Sequence, residues 1–418
     1  MFTTTRAVRG AGCAVLVMLL ALATAPDTQA AAPVAPVERV SVAADGTQGD
    51  GDSLAPSVSA DGRYVAFESI ATDLVPGDTN GRRDVFVKDL RTGRIVRVTA
   101  QSAGAPADAE AYQPSLSADG RHVAFTAEWT YPVPAHSGPP GRQSDVYVRD
   151  LRTGRTTKVD RDLEQGFGIV SRDPSISADG RYVAFVAGAV PWFPLGLHGD
   201  VRVYVRDLKT GTTRRVSAPP GPDGDREAFG PHITPDGSAV AYTTDVPHVS
   251  GPPIGYVFAW RRFTGRAERV DVTYDGSGLV ATPSKLVGID PSGRYVLFNS
   301  PSDKMVPGAR HVGGYLRDLV RDRTRTVDAP GDPTAPTRAF GFVGRTGAYA
   351  VSSDIHLYLR QLRTGRTRTL LTDASGMNAM VFDAHARTAA FQSFATDWVP
   401  GDTNGVGDVF VVRLGAGR

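Results

Sequence analysis

One segment of the sequence recurs seven times, in units that we number one to seven. In unit one its first half is PSVSADGRYVAF, Pro56–Phe67, and its second half is DVFVKDLRTG, Asp84–Gly93. The mean spacing is 54 residues, which is 324 residues over six intervals, between the ends of the first halves at Phe67, Phe125, Phe185, Tyr242, Phe298, Val351 and Phe391. Such a period predicts a repeat architecture, in which each unit buries its apolar surface against the next.

Each unit has the pattern of an antiparallel meander of four strands, A to D. Asp61-Gly62 and Arg91–Arg94 are turn sequences, because Gly accepts positive φ and Asp can bind its own backbone. Strands B and C are apolar without alternation, which predicts burial on both faces. In unit one the predicted strands are Pro56–Ser59, Arg63–Ser69, Asp84–Leu90 and Ile95–Thr99.

The most regular positions of the repeat are Pro56, Ser59–Gly62, Val65–Phe67, Val85–Val87 and Asp89-Leu90, with their counterparts in later units. In these residues the sequence resembles the TolB-like propeller repeat, which is related in architecture to WD-repeat propellers. The predicted fold is all-β, a seven-bladed β-propeller of four-stranded antiparallel blades. The resemblance does not select one function, because proteins of this fold include periplasmic partner-binding proteins, propeller domains of peptidases and polysaccharide lyases.

The seventh unit ends after strand C, at the end of the sequence. Val37–Val42, before unit one, resembles the strand D of Ile95–Thr99. The N-terminal strand is therefore predicted to complete the last blade, which would remove an exposed sheet edge.

The first thirty residues have the pattern of a Sec-type signal peptide. Arg6 and Arg9 precede a short apolar run, and Thr28–Ala30 provides small residues for cleavage. Cys13 lies before the apolar run, so a lipid anchor is not expected. We predict a secreted protein with a signal peptide (1–30), a linker (31–36) and a single propeller (37–418).

The composition restricts the class of partner. The chain has 46 basic and 44 acidic residues, a formal net charge of +2 and no basic tract, so nucleic acid is not expected as a ligand. No further run is long and apolar enough to span a bilayer. We expect a monomer that binds a protein or carbohydrate ligand.

A short acidic motif, DTNGxxD, precedes strand C in units one and seven. Carboxylate and amide oxygens at this spacing suit a hard cation such as calcium, although the motif is not an EF-hand. An Asn-Gly turn that leads into strand C is the alternative interpretation. The candidate calcium ligands are Asp78, Asn80, Asp84, Asp402, Asn404 and Asp408; no other cofactor is predicted.

Histidines fall in the connections between strands B and C of four units. If they converged at one end of a propeller channel, they could hold a transition metal. The simpler interpretation is that they are exposed loop residues, because the sequence contains no HEXXH motif or close His-x-His pair. They are His136, His198, His248 and His311.

The B–C connections are long and varied, whereas the A–B and C–D turns are short. In an up-and-down blade these two sets lie on opposite faces, and long loops on a rigid scaffold commonly carry function. Large aromatic residues in these loops predict a ligand-binding surface. The alternative is that they fold back to cap the sheets. They are Trp129, Tyr131, Trp192, Phe193 and Trp398.

We find no catalytic signature in the sequence, such as a G-x-S-x-G motif. The leading hypothesis is a secreted, non-enzymatic binding or scaffold protein that uses its B–C loop face. The alternative is a carbohydrate-active propeller enzyme, such as a metal-assisted polysaccharide lyase.

Overall fold

A computed structural model describes twelve stretches of the chain, and all statements below refer to them. They are residues 36–99, 109–131, 141–163, 169–189, 200–217, 227–246, 254–275, 283–308, 313–327, 337–343, 348–353 and 356–414. Met1–Val34 forms a separate unit from Ala35–Arg418 and lies outside the described residues, as does the predicted signal peptide. No helix within these stretches is long and apolar enough to cross a membrane.

The described residues form β-strands and two 3₁₀-helices, Arg161–Leu163 and Asp303–Met305, but no α-helix. The predicted all-β class is therefore confirmed. Units one to four comprise β2 Ser53–Val58, β3 Tyr64–Ser69, β4 Asp84–Asp89, β5 Ile95–Arg97, β6 Glu110–Leu116, β7 His122–Tyr131, β8 Gly141–Asp150, β9 Thr156–Lys158, β10 Ile169–Ile176, β11 Tyr182–Ala189, β12 Asp200–Asp207, β13 Thr212–Arg215, β14 Glu227–Ile233, β15 Ala239–Val246, β16 Ile254–Arg261 and β17 Arg266–Arg269.

Units five to seven repeat the same order of strands A to D. They comprise β18 Lys285–Ile289, β19 Tyr295–Ser300, β20 Gly313–Asp318, β21 Arg323–Thr326, β22 Arg338–Val343, β23 Ala348–Ser353, β24 His356–Gln361, β25 Thr367–Leu371, β26 Asn378–Phe382, β27 Thr388–Ser393 and β28 Asp408–Arg413. The fourth strand that pairs in the sheet of unit seven is β1, Val37–Arg39.

Strand pairing within the units is antiparallel and follows chain order, as the meander predicts, except that β1 takes the place of strand D in unit seven. Units one, five, six and seven are separate four-stranded sheets. Units two, three and four are joined by single parallel bridges, Ser144 to Val170 and Val201 to Glu227. β1 pairs antiparallel with β28, so that Val37 lies opposite Val412.

Strand B packs against a different neighbouring unit on each of its two faces. In unit one, Val65 and Phe67 belong to a buried cluster with Val409 and Val411 of unit seven. Ala66, between them in sequence, belongs to a cluster with unit two. The described core contains seven such clusters, each of which combines two consecutive units or units seven and one. This packing explains the apolar runs without alternation.

The A–B turn motif fixes its own geometry through hydrogen bonds. The Ser59 hydroxyl donates to Asp61 Oδ1 at 2.6 Å and accepts from the Tyr64 amide at 2.9 Å. Arg63 binds both oxygens of Asp89 at the end of strand C, at 2.9 and 2.6 Å, and holds the pKa of that carboxyl well below its usual range. The repeated motif SADGRYV therefore ties two turns of a unit together.

The turn glycine has a second role at the contact between units. Gly120 of unit two has a φ of +71°, and a Cβ there would lie 2.3 Å from the ring of Tyr64 of unit one. Gly180 is covered in the same way by the ring of His122. A side chain at this turn position would therefore collide with the preceding unit.

The predicted B–C loop of unit two was too long. Trp129 and Tyr131 were predicted to lie in this loop, but β7 continues to Tyr131 and β8 begins at Gly141. Trp129, Thr130 and Tyr131 favour extended backbone because they are aromatic or β-branched. Trp129 and Tyr131 therefore lie on a strand of a long hairpin.

Arg39, the last residue of β1, forms buried ion pairs with two aspartates of unit seven. Arg39 contacts Asp402 at 3.1 Å and Asp408 at 3.4 Å, and all three side chains are almost fully buried. Ser41 donates to the other oxygen of Asp408 at 2.5 Å. Burial raises the pKa of Asp408, so its charged form depends on these partners.

Unit two holds a second buried acidic group at the corresponding strands. Lys158 Nζ lies 2.7 Å from Asp145 Oδ2, and Asp160 is buried nearby. Burial, together with the charge of Asp145, raises the pKa of Asp160 from 3.8 to about 7. Folding therefore retains a proton on Asp160 that the unfolded chain releases at lower pH.

We predict that Arg39→Ala strongly destabilises the protein. It leaves two buried carboxylates without their cation, and breaking a buried pair costs about 3–5 kcal/mol. Urea denaturation measures the effect. Arg63→Ala is the control, because it removes a partly exposed partner of a carboxylate and should cost about 1 kcal/mol or less. Equal losses in the two variants would contradict the prediction.

We predict that Asp160→Asn removes a pH dependence of stability. Between about pH 4 and pH 7 the native state binds more protons than the unfolded state, so the stability of the parent should fall as pH rises through this window and then level off. Urea midpoints at pH 4, 6 and 8 should show the variant gaining on the parent toward pH 8. The exposed Asp397→Asn serves as control, and a constant difference across pH would contradict the assignment.

Candidate binding site in the central channel

A cavity of about 690 Å³ lies where the first strands of all seven units meet. Its walls are mainly proline, valine, isoleucine, phenylalanine and glycine, with two titratable residues among the described lining, Asp173 and His232. The residues that mark the seven strands around it are Ser57, Pro114, Pro174, Pro231, Ile289, Phe342 and Val381.

Each first strand has a β-bulge near its entry to the channel. The register of strand A shifts at the same place in every unit. In four units the residue at the bulge has a positive φ and is followed by proline, which lacks an N–H and is tolerated in a strand at such a point. These residues are Ala55 (+50°), Gln113 (+56°), Asp173 (+54°) and Gly230 (+56°).

Side chains of the preceding unit bind the backbone amides at these bulges. Six such contacts between neighbouring units form a rim at the end of the channel where strand A begins, the same end as the B–C connections. The amides donate to side-chain oxygens as follows: Ala55 to Gln392 (2.7 Å), Gln113 to Glu68 (2.6 Å), Asp173 to Gln113 (3.1 Å), Gly230 to Asp173 (3.2 Å), Leu286 to Thr243 (3.3 Å) and Ala339 to Asn299 (3.0 Å).

Glu68 is the buried charged member of this rim. Its other carboxylate oxygen lies 3.1 Å from Arg83 Nη1, and the Gln113 amide takes the second oxygen. Burial raises the pKa of Glu68, while Gln113 and Arg83 act in the opposite direction. The rim is thus a row of hydrogen bonds between neighbouring units that constrains the shape of the channel mouth.

His232 is the titratable side chain of the channel wall away from this rim. Its side chain is exposed to the channel, and desolvation by the surrounding wall lowers its pKa. A neutral imidazole offers one donor and one acceptor. The channel combines apolar walls with a few polar groups, as ligand pockets usually do.

The structure assigns different surroundings to the predicted aromatic residues. Trp398 packs edge-on against Phe391 at 5.1 Å, and its Nε1 donates to Ser393 at 3.0 Å, so it caps unit seven. Trp129 is half-buried on β7. The side chain of Tyr131, together with Trp192 and Phe193, lies outside the described residues. Ligand binding by these aromatic residues stays a prediction.

The predicted calcium ligands do come together, and each group includes an arginine. In unit one, Arg97 Nη1 lies 2.5 Å from Asp78 and 3.5 Å from Asp84, while Asn80 donates to Asp84 at 3.1 Å. In unit seven, Arg39 takes the same place beside Asp402 and Asp408, and Asn404 donates to Asp408 at 3.3 Å. In both groups an arginine of the outer strand pairs with the carboxylates, and calcium binding by the motif stays a prediction.

The predicted histidine group is not described. His136, His198, His248 and His311 all lie outside the described residues. Within the described stretches, no group of three or more His, Cys, Asp or Glu side chains could hold a metal ion.

We predict that chelation leaves the melting temperature of the protein unchanged, because in each group a guanidinium already pairs with both aspartates. Melting with and without EDTA, in the parent and in Asp78→Ala, checks this. The variant should be less stable to the same extent in both conditions. A fall on chelation in the parent that the variant lacks would instead assign calcium to the motif.

Six rim residues had not been predicted from the sequence. Four of them directly follow the aromatic residue of strand B, and two directly precede the proline of strand A. The first set is Glu68, Thr243, Asn299 and Gln392, and the second is Gln113 and Asp173. A polar residue at either position was the available signal. Whether such a polar residue belongs to the rim depends on whether its side chain reaches the next unit.

No family model matches the chain, and no curated protein matches it. Solved structures do. The β-propeller domain of the Trilobed protease from Pyrococcus furiosus is 14% identical, with 87% of this chain and 95% of that one covered at a TM-score of 0.51. Pyrococcus horikoshii acylaminoacyl peptidase is 15% identical over 86% of this chain, at a TM-score of 0.51. TolB from Acinetobacter baumannii is 18% identical over 66% of this chain, at a TM-score of 0.35.

This chain spans 50% of the length of the acylaminoacyl peptidase and 53% of that of TolB. At these identities, the likeness concerns the fold alone. The nearly complete overlap with the Pyrococcus furiosus domain shows that the fold is a β-propeller. The TolB-like β-propeller architecture predicted from the repeat is thereby confirmed.

Proposed function

We propose that this chain is a secreted, non-enzymatic binding or scaffold protein. In this proposal it binds a protein or carbohydrate ligand at the B–C face of a closed, seven-bladed propeller. The observation that carries the proposal is the rim of hydrogen bonds between units, which holds the channel mouth in a fixed shape at the end of the B–C connections. A preorganised mouth lowers the entropy that binding must overcome.

Three sets of contacts support seven blades and closure. Seven buried clusters join consecutive units, and one of them joins unit seven to unit one. β1 completes the sheet of unit seven. The Ala384 amide of unit seven donates to the Ala60 carbonyl at 3.0 Å, and the Ala60 amide donates to Ala118 of unit two at 2.9 Å. The Pyrococcus furiosus domain is described as having an open velcro topology; β1 gives this chain a pairing that favours closure.

The peptidases among the structural neighbours overlap this chain along about half of their length. The likeness therefore supports a common propeller fold, and the catalytic activity belongs to those proteins. Secretion is supported by the signal-peptide pattern of residues 1–30. Intact-mass measurement of culture supernatant should find a chain that begins near Ala31 or Pro33, and a full-length intracellular precursor as the main product would contradict secretion.

We predict that Trp129→Ala weakens ligand binding. Immobilised protein is screened against glycans and extracellular proteins of its host, and each ligand is then titrated with the variants. A tryptophan at the centre of an interface contributes about 2 kcal/mol or more, so affinity should fall about thirtyfold. Phe263→Ala is the control, because Phe263 is fully exposed at a C–D turn on the opposite face.

Both variants should melt close to the parent. If Trp129→Ala binds every ligand as the parent does, the residue does not belong to the site. Loss of stability together with unchanged binding would identify Trp129 as a structural cap.

A further inference from the structure

A second cleft lies on the opposite face, between units five and six. It has a volume of about 840 Å³ and opens among the short A–B and C–D turns. Unit five provides most of its wall through the A–B turn, the C–D turn and β21, and unit six closes it with the C–D turn. Arginines dominate the lining, and they are Arg294, Arg321, Arg323, Arg325 and Arg363.

The two carboxylates of this cleft are already engaged. Arg294 binds both oxygens of Asp318 at 2.8 and 2.6 Å. Asp290 accepts from the backbone amides of Arg294 and Tyr295 at 2.8 and 2.6 Å, and from the Ser292 hydroxyl at 2.6 Å. Five arginines against two aspartates give the lining a net charge of +3.

The other four arginines of the cleft have no carboxylate partner among the described residues. Arg323 and Arg325 alternate with threonines on β21, so both project from the same side of the strand, about 7 Å apart. Arg321 extends the row into the turn, and Arg363 faces it from unit six. Guanidinium groups bind carboxylate, sulfate or phosphate oxygens in bidentate fashion, so this row suits a ligand with several anionic groups.

The corresponding cleft between units two and three shows that this charge is not a general property of the repeat. It is smaller, about 480 Å³, and its lining carries three cations and two aspartates, a net charge of +1 with His122 neutral. Arg181 of that cleft is paired with Asp207 at 2.7 Å. The outer strand beside it, β9, carries threonines and one lysine, which pairs with Asp145.

We propose that the cleft between units five and six binds an acidic polysaccharide through Arg321, Arg323, Arg325 and Arg363. A single-stranded nucleic acid is the competing polyanion, and it usually needs open aromatic rings on which bases stack. The aromatic ring of this cleft is Tyr295, and the guanidinium of Arg294 covers it at 4.9 Å. A row of charges without a stacking surface suits a sugar polymer that carries carboxylate or sulfate groups at regular intervals.

Affinity electrophoresis and calorimetry test this with polygalacturonate, dextran sulfate, neutral dextran and an oligothymidylate of twenty nucleotides. The parent should bind at least one acidic polysaccharide, with an affinity that falls as salt rises, and should not bind neutral dextran. The double variant Arg323→Ala with Arg325→Ala should lower the affinity about tenfold or more, which corresponds to a loss of about 1.4 kcal/mol in binding free energy. The two acidic polymers distinguish carboxylate from sulfate as the recognised group.

The matched control is Arg155→Ala with Lys209→Ala in the cleft between units two and three, which should change affinity less than twofold. Melting curves of both double variants should overlay that of the parent, because all four side chains are exposed. Equal losses in the two variants would show non-specific attraction and overturn the proposal. Tighter binding of the oligothymidylate, or no binding of either acidic polysaccharide, would overturn it as well.

Discussion

Burial of strand B on both faces is the constraint on which the rest of this structure depends. Val65 and Phe67 point into unit seven and Ala66 points into unit two, so unit one alone could bury only part of its apolar surface. A row of such units has two unsatisfied ends, whereas the closed ring that we propose has none. The N-terminal strand reduces the exposed edge in the same way, because β1 pairs with the edge of β28, the last described strand.

The channel follows from this arrangement. The first strands line the channel, and prolines, glycines and apolar side chains form most of its wall. The bulge in each strand turns a backbone amide out of its own sheet, and an unpaired buried amide is costly. A side chain from the preceding unit binds that amide, for example Glu68 for Gln113 and Gln392 for Ala55. The side chains that accept hydrogen bonds from these backbone amides thus also shape the mouth of the channel.

The sequence predicted the all-β class, the meander and the place of β1, because each depends on patterns that act locally or repeat seven times. It predicted the loop of unit two less well. Trp129, Thr130 and Tyr131 favour extended backbone, but this local preference does not tell how far a strand continues beyond the buried part of its sheet. The rim escaped prediction for a different reason. Asp173 reaches Gly230, 57 residues further on, and Glu68 reaches Gln113 across 45 residues, so their roles appear only once the units are placed side by side.

The carboxylates of the DTNGxxD motif have a spacing that suits a metal ion, but in the structure they pair with an arginine. By spacing alone, Asp78, Asn80 and Asp84 resemble ligands for a hard cation, and spacing was all that the sequence offered. Arg97 lies nineteen residues beyond Asp78, on the outer strand of the same unit, and its guanidinium reaches both aspartates. In unit seven the equivalent cation is Arg39, more than 360 residues from Asp402 in sequence. An ion pair that is local in unit one therefore links the two ends of the described chain in unit seven, where the same contact joins β1 to the last sheet.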